Sequence, residues 1–295
     1  MRCDLHVHTR CSGAATTPVV GWFCRESYND PEAVYAQLKR VGMELVTVTD
    51  HDSIDALEPL RHHRDFFLSE EVTCRMPSGT TLHVGVYDLN ERQHLEIQRR
   101  RDDLPSLIPY LREQNLLFSV NHIFSRLTGR RELEDFNWFE DSFPVFEVLN
   151  SHLPRSNNLP AKRLAYWLGK TVVAGSDAHS LASIGSAYTD VPGARDKGEF
   201  MEGLRLGRAR VRGKSGNYWT LTREVLMVCR EMMRENPATL LLAPLGFLIP
   251  LTTLVHRLLE VRFARHWTRK FVASRGIGAG DPSRFTPPVS EEALA

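Results

Sequence analysis

The sequence predicts an α/β fold in which parallel strands bring metal ligands together at their carboxyl ends. Apolar runs that end in His, Asp or Glu recur along the first 180 residues, and segments with helical character lie between them. At 295 residues with 42% hydrophobic content, the chain is long enough to bury a full core. These observations favour one main α/β domain.

The first apolar run begins almost at the first residue, in MRCDLHVHT. His6 and His8 occupy alternate positions of a short strand, so both imidazoles point to one face of it. A lone His-x-His pair is more typical of surface or core histidines than of a metal site. The metal interpretation therefore depends on whether the pattern recurs.

The pattern recurs five times. The further runs are TVTDHDS (47–53), SEEVTC (69–74), TLHVGVY (81–87), SVNHIF (119–124) and VVAGSDAHS (172–180). In a barrel of parallel strands the chemistry gathers at the carboxyl ends of the strands. Connecting segments fit this arrangement, since Asp30 and Pro31 are typical of a helix start and 160–168 precedes a strand as a crossover helix does.

With these motifs the chain resembles the PHP (polymerase and histidinol phosphatase) family of metal-dependent phosphoesterases. The matching motifs are DLHVHT, TDHD, SEEVT, LHVGVY, NH and GSDAH, which cover about residues 1–215 in the family's order and approximate spacing. The resemblance implies a distorted (β/α)7 barrel of the PHP type. It also implies two or three divalent ions in a cleft at the strand ends.

The resemblance assigns eight ligands to these ions. The first ion would have His6, His8, Glu71 and Asp177, the second His51 and His179, and the third His83 and His122 with Glu71 shared. Glu71 is preferred to Glu70 because the bridging Glu of the family precedes a Ser or Thr by two residues, and Glu70 is expected to be a solvated neighbour.

Two aspartates, Asp50 and Asp52, flank His51 and are interpreted as partners that orient imidazoles. His51 and Asp52 are therefore predicted among the catalytic groups. One departure from the family concerns the loop TRCSGAA (9–15), where relatives carry an Asp or His, so the second ion lacks an obvious ligand. Either Cys11 supplies a soft thiolate, which suits zinc, or it is a free loop cysteine and the site holds fewer or weaker ions.

Mixed imidazole and carboxylate ligands favour Zn, Mn or Fe over Ca or Mg. Closely spaced divalent ions lower the pKa of a bound water and stabilise an in-line displacement at phosphorus. The sequence contains neither a GxSxG nucleophile motif nor a GxxxxGK[ST] phosphate loop. We therefore expect a metal-dependent phosphoesterase that acts on a small phosphorylated metabolite or nucleotide.

The sequence indicates the residues that would bind the phosphate less clearly than it indicates the metal ligands. Arg126 is the leading cation, with Arg130 and Arg131 behind it, because a guanidinium can hold two phosphate oxygens. His152 follows the run VFEVLNSH and is either a substrate contact, a general acid or a surface histidine. Solvated loop charges explain the arginines equally well.

Two alternative functions keep the same ligands. A hydrolase of amides or esters could use the same metal-activated water, and Arg126 would then be dispensable. The second alternative is a non-catalytic metal-binding module, although a buried cluster of histidines without metal would be costly to retain.

The C-terminal part has a different composition. Residues 1–203 hold 22 basic and 29 acidic residues, whereas 204–275 hold 14 basic and 4 acidic residues. Within the basic part, 238–255 is free of charge over 18 residues, about the lower limit for crossing a bilayer, but Pro244 and Pro250 interrupt it. We divide the chain into the barrel (1–219), a helical, partly very hydrophobic extension (220–275) and a disordered tail (276–295).

Two roles for this extension stay open. Residues 238–275 either contact an anionic membrane surface or pack on the barrel or a second copy as a homodimer. Nucleic acid is a further candidate partner, for the basic residues near 207–219. The five cysteines form no CxxC pair, and a cleaved signal peptide would remove His6 and His8, so we expect a reduced protein on the cytoplasmic side.

Overall fold

The computed structural model describes residues 1–15 and 24–276. Its larger sheet has five strands in chain order, β2 (Ser69–Arg75), β3 (Thr81–Tyr87), β4 (Leu117–Val120), β5 (Val145–Asn150) and β6 (Thr171–Gly175). Strands β4, β5 and β6 run parallel to one another, whereas β3 is antiparallel to both β2 and β4. The sheet is therefore mixed.

The expected parallel arrangement thus fails at β2 and β3. A short turn joins these strands, in which the Met76 N–H donates to the Thr80 carbonyl over 2.8 Å and Gly79 adopts a φ of +82°. A turn of this length can only connect antiparallel neighbours, because a parallel connection needs about a dozen residues or more. His83 consequently lies opposite Thr73 near the start of β3, not at the end of a parallel strand.

A smaller antiparallel sheet contains β1 (Arg2–Cys3), β7 (Ala187–Asp190) and β8 (Arg210–Gly213), in the order β1-β7-β8. Two segments without regular strand structure, one around His8 and one around Asp50, lie between β6 and β2. The His8 N–H donates to the Ala178 carbonyl over 3.2 Å, and the Glu71 N–H donates to the Asp50 carbonyl over 3.1 Å. The described residues form an α/β fold without a closed barrel of regular strands, so the (β/α)7 barrel is not confirmed.

The helices cover the large sheet and its edges. They are α1 (Pro31–Arg40), α2 (Leu57–Leu60), α3 (Glu91–Arg100), α4 (Leu104–Glu113), α5 (Asp135–Ser142), α6 (Arg155–Trp167) and α7 (Lys197–Arg205). The predicted start of α1 is confirmed, since Asp30 accepts a hydrogen bond from the Glu32 N–H over 3.0 Å. The main hydrophobic core lies between the large sheet and the helices that follow β3, β4 and β5.

The C-terminal extension begins with α8 (Tyr218–Glu235), continues as a 3-10 helix (Pro237–Leu248), here called the apolar segment, and ends with α9 (Ile249–Ser274). Three residues of α9, Ala264, Trp267 and Phe271, are buried in the main core. The extension is thus packed on residues 1–219, here still called the barrel part, while the domain boundary at residue 219 stays a prediction. Of the predicted tail, residues 277–295 lie outside the described residues.

Candidate metal centre

Glu71, in the middle of β2, lies at the centre of a cluster of imidazoles. Its Oε2 atom is 3.0 Å from His6 Nε2, 3.4 Å from His51 Nδ1 and 3.5 Å from His8 Nε2. Its Oε1 atom is 3.2 Å from His122 Nε2 and 3.5 Å from His83 Nδ1. One carboxylate therefore faces five of the six predicted histidine ligands.

Asp177, which follows β6, is the second carboxylate of the cluster. Its Oδ1 atom lies 3.3 Å from His8 Nε2, 3.5 Å from His6 Nε2 and 3.8 Å from His179 Nδ1. Asp177 has a φ of +52°, a conformation that L-residues rarely adopt outside turns and functional sites. The eight residues predicted as ligands thus come together in one place.

A ninth residue, Glu26, joins them and was missed from the sequence. Its carboxylate lies between two imidazoles, 3.5 Å from His51 Nε2 and 3.7 Å from His179 Nε2. This is where the expected second ion lacked a ligand. Glu26 is the only acidic residue between His8 and Asp30, which was the available signal.

Cys11 does not take that place. It is half-buried within the 3-10 turn Arg10–Ser12, and its backbone N–H donates to Thr9 Oγ1. Its side chain packs against the small hydrophobic cluster around Val34 and Leu38. Of the two readings of Cys11, the free loop cysteine agrees with this position.

The cluster fits divalent metal ions because several of its donor atoms are buried and have no hydrogen-bond partner. His8 Nε2, His51 Nδ1 and Glu26 Oε2 are buried, and none of them has a hydrogen-bond partner. A buried polar atom without a partner costs free energy, and these atoms face neighbouring ligand atoms across the cluster. Three overlapping sets of ligand atoms lie within 4.8 Å of one another: His6, His8 and Asp177; His6, Glu71 and His122; and His8, His51 and Glu71.

Ionised carboxylates and neutral imidazoles are the forms that bind metal. Burial raises the pKa of Glu71, but the neighbouring imidazoles His6 and His83 outweigh it and hold that pKa well below its ordinary value. Burial lowers the pKa of His8 to about 3, which keeps its imidazole neutral. For four other imidazoles the neighbouring carboxylates outweigh burial and raise the pKa, so each of these would release a proton when it binds an ion: His6, His51, His122 and His179.

Buried polar partners orient the ligands. Glu147 in β5 accepts hydrogen bonds from His6 Nδ1 over 2.7 Å and from the His122 N–H over 3.0 Å. Asn121 donates to Glu71 Oε1 over 2.8 Å, and Asn150 donates to Asp177 Oδ2 over 2.9 Å. Such partners fix the tautomer and the direction of a ligand.

Glu147 and Asn121 were not predicted from the sequence. Of the two aspartates beside His51, Asp50 has a contact that agrees with the predicted role of orienting imidazoles, whereas Asp52 does not. Asp50 accepts from Ser12 Oγ, which lies 3.0 Å from His8 Nδ1, so Asp50 acts on an imidazole through a serine. Asp52 instead accepts from the Thr73 N–H and pairs with Arg101 at 2.6 Å.

Three other predicted side chains lie elsewhere. Arg126 is exposed, and its backbone N–H donates to Glu260. Arg131 is buried over the Phe139 ring and pairs with Asp135 at 3.9 Å, which is a structural position. Glu70 is buried and not solvated, because it lies on the opposite face of β2 and binds His94 Nδ1 at 2.8 Å.

The metal ligands open into a cleft of about 330 Å³ that α8 helps to line with Val225, Val228 and Cys229. A second cleft of about 410 Å³ adjoins it and contains Lys214 and Arg223. His152 and Asp177 line both clefts. The two adjacent clefts, here together called the groove, therefore have metal ligands in one part and two cationic side chains in the other.

Helix α8 is joined to the ligands through Glu224. This buried carboxylate accepts hydrogen bonds from the backbone N–H groups of His179 and Ser180, over 2.8 and 2.7 Å. The ligand loop after β6 is thus held by a residue outside the region that resembles the PHP motifs.

Comparisons with known proteins agree with the fold described above. A family model described as PHP-associated matches residues 155–209. A crystal structure of a two-domain protein from Bacteroides vulgatus, said to contain a predicted PHP-like metal-dependent phosphoesterase, aligns over 78% of this chain and 70% of its own. The identity is 17% and the TM-score 0.56.

The chain shares its fold with this PHP-like protein. PsfC from Pseudomonas syringae shares this fold as well, with 17% identity, a TM-score of 0.55, and coverage of 79% of this chain and 98% of its own. Among curated proteins, none matches the sequence significantly. The PHP resemblance that the sequence motifs indicate is confirmed.

Proposed function

We propose that this PHP-fold protein is a metal-dependent hydrolase of phosphate esters, acting on a small phosphorylated metabolite or nucleotide. The observation that carries the proposal is the cluster around Glu71 and Asp177, in which buried imidazole nitrogens without partners face ionised carboxylates. A groove with two cationic side chains leads away from this cluster.

Nine residues would hold two or three ions, which we expect to be Zn, Mn or Fe because the donors are nitrogen and oxygen atoms. They are His6, His8, Glu26, His51, Glu71, His83, His122, Asp177 and His179. Such ions supply Lewis acidity and a water of lowered pKa, so that hydrolysis needs no protein nucleophile. Glu26 completes the set that the sequence left one ligand short.

The remaining groove residues would act on the substrate. Lys214 and Arg223 offer positive charge to phosphate oxygens or to a leaving group. Burial lowers the pKa of His152, so at neutral pH its imidazole is neutral and is suited to a hydrogen bond with the substrate. Its predicted role as a general acid would require the protonated form, which this environment disfavours. Arg126, exposed beside the groove wall residue Leu127, stays a candidate phosphate contact.

A hydrolase of amides or carboxylic esters is the second candidate, because the same ligands can serve either bond. The cationic end of the groove favours phosphate, since a neutral amide gains little from Lys214 and Arg223. All five cysteines are free, which agrees with a reducing compartment, and we propose a cytoplasmic location for the site.

The test is turnover by purified protein, stripped by chelation and reloaded with Mn or Zn, on a panel of phosphate monoesters, phosphodiesters, amides and carboxylic esters. We expect phosphate release that disappears on chelation and in Asp177→Asn. Lys214→Ala with Arg223→Ala should raise KM for the phosphate ester at least tenfold. Turnover of amides alone would overturn the phosphoesterase proposal in favour of the second candidate, and metal binding without any turnover would favour a non-catalytic module.

A further inference from the structure

The apolar segment and the first turns of α9 leave a large hydrophobic surface uncovered. One helical stretch, Pro237–Ser274, is long and apolar enough to cross a membrane by length and composition, with a mean hydropathy of 2.0 in its most apolar window, of which 11% is buried. Leu241 is 87% exposed and Phe247 is 75% exposed. Contiguous apolar surface of this kind marks an interaction site.

Exposed side chains of the apolar segment point in several directions. Leu240, Leu241 and Leu242 are consecutive, so in a 3-10 helix with about three residues per turn they point in three different directions. All three are exposed. A second copy of the chain would cover one face of such a helix, whereas the fluid acyl boundary of a lipid layer can take up side chains that point in several directions.

The unpaired charges beside this surface are positive, because the exposed Glu231 and Glu235 pair with Arg234 and Arg25. Arg262, Arg265 and Arg269 are exposed on α9, and none of them forms an ion pair among the described residues. Two of the four acidic residues of 204–275, Glu224 and Glu260, are buried against the barrel part and offer no charge to the surface. Positive charge next to apolar surface complements anionic lipid headgroups.

Aromatic side chains lie at the edge of the surface. Trp219 is 74% exposed at the start of α8, and its ring is 4.8 Å from that of Tyr218. The Tyr218 hydroxyl donates to the Pro250 carbonyl, which ties this pair to the end of the apolar segment. Trp and Tyr are enriched at the boundary between headgroups and acyl chains.

Hydrogen bonds at both ends of the apolar segment show how it lies on the protein. Near its start, Thr239 Oγ1 donates to the Met232 carbonyl over 3.4 Å. Just after its end, Thr253 Oγ1 lies 2.8 Å from Thr222 Oγ1. The segment therefore runs back along α8. A membrane-crossing segment needs its ends on opposite sides of a hydrocarbon layer about 30 Å thick, which this attachment to α8 prevents.

We propose that the apolar segment and the start of α9 dock this protein onto an anionic lipid surface, lying in the plane of the interface and not spanning it. Leucine and phenylalanine side chains would enter the acyl boundary, and the arginines of α9 would contact the headgroups. This proposal does not depend on the reaction catalysed in the metal centre.

The test is flotation of the full chain with vesicles of phosphatidylcholine, with and without phosphatidylglycerol. We expect the protein to float with the anionic vesicles. Leu241→Ser with Phe247→Ser should lower the bound fraction at least tenfold, and Arg262→Gln with Arg265→Gln and Arg269→Gln should lower it on anionic vesicles only. The matched control is Leu95→Ser, a 58% exposed leucine on α3, which should bind like the wild type.

Three outcomes would overturn the proposal. The first is no flotation, and the second is equal flotation of all variants. The third is a dimer in light scattering that Leu241→Ser with Phe247→Ser dissociates, without vesicle binding, which would assign the surface to a second copy. Alkaline carbonate should release the bound protein, whereas retention would contradict the in-plane placement. Unchanged circular dichroism would show that each variant is folded.

Discussion

The Oε1 atom of Glu26 lies 3.7 Å from Nε2 of His179, although 153 positions separate the two residues in the chain. The other oxygen of the same carboxylate lies 3.5 Å from His51 Nε2 and has no hydrogen-bond partner. Burial raises the pKa of Glu26, but the neighbouring imidazoles His179 and His51 outweigh it and hold the pKa well below its usual range. Glu26 therefore stays ionised at any working pH.

We expect Glu26→Gln to hold fewer metal ions per chain than the wild type, because the amide offers no negative charge to an ion between His51 and His179. Turnover should fall at least about tenfold. Metal content is measured by plasma mass spectrometry after dialysis. Glu58→Gln, on an exposed side chain, is the control, and equal metal content in both variants would remove Glu26 from the ligand set.

Replacing Glu147 by Gln should weaken metal binding without removing a ligand. Glu147 accepts from His6 Nδ1 and the His122 N–H, so the amide would misorient one imidazole and leave an N–H poorly paired. We expect the dissociation constant of the tightest ion to rise about 10- to 100-fold. Competition with a chromophoric chelator gives this value. Wild-type affinity in the variant would show that Glu147 does not orient His6.

The hydrogen bonds of Glu260 should contribute strongly to holding α9 on the barrel part. It is buried and accepts from Ser125 Oγ, the Arg126 N–H and Asn157 Nδ2. Glu260→Ala leaves these donors unpaired, so we expect the free energy of unfolding to fall by about 2 to 4 kcal/mol. Urea denaturation measures it. Glu231→Ala, which breaks an exposed pair with Arg234, should change it by less than about 1 kcal/mol.

The stability of the protein should fall as the solution is acidified through the range of His256. Burial lowers the pKa of His256 to about 4, with smaller contributions in the same direction from His152, when it is protonated, and from Arg126, while Glu260 lies 3.9 Å away on the same helix. In the unfolded chain the pKa is about 6.5, so the unfolded state binds more protons between these values. The contribution is complete above pH 6.5 and is lost as pH falls towards 4.

His256→Gln should therefore flatten the dependence of unfolding free energy on pH in that window. The two proteins are compared by urea denaturation at a series of pH values. Parallel curves for the variant and the wild type would show that His256 titrates as an ordinary surface histidine.

Much of the metal centre followed from local pattern. Alternation places His6 and His8 on one face, and the motifs that carry Glu71, Asp177 and His179 each end an apolar run. These side chains meet because their runs pair as neighbours, as His51 and Glu71 do directly across a parallel bridge. Periodicity and the family motifs were sufficient there.

The place of Glu26 in the site and the direction of β3 could not be predicted from periodicity or from the family motifs. Glu26 reaches the site because its backbone pairs with the segment that follows His8, with the Glu26 N–H donating to the Gly13 carbonyl over 3.1 Å, and no periodic pattern encodes that pairing. The hairpin between β2 and β3 depends on a five-residue turn that a reading based on parallel strands did not consider. Glu224 was missed because the PHP motifs end before α8 begins.

The most direct test of the central claim is the initial rate of phosphate release from an aryl phosphate ester by chelator-stripped protein, titrated with Mn or Zn. The account predicts no release without metal, a rate that saturates with added ion, and a loss of at least about 100-fold in Glu71→Gln. Release that persists without metal, or is unchanged in Glu71→Gln, would contradict it.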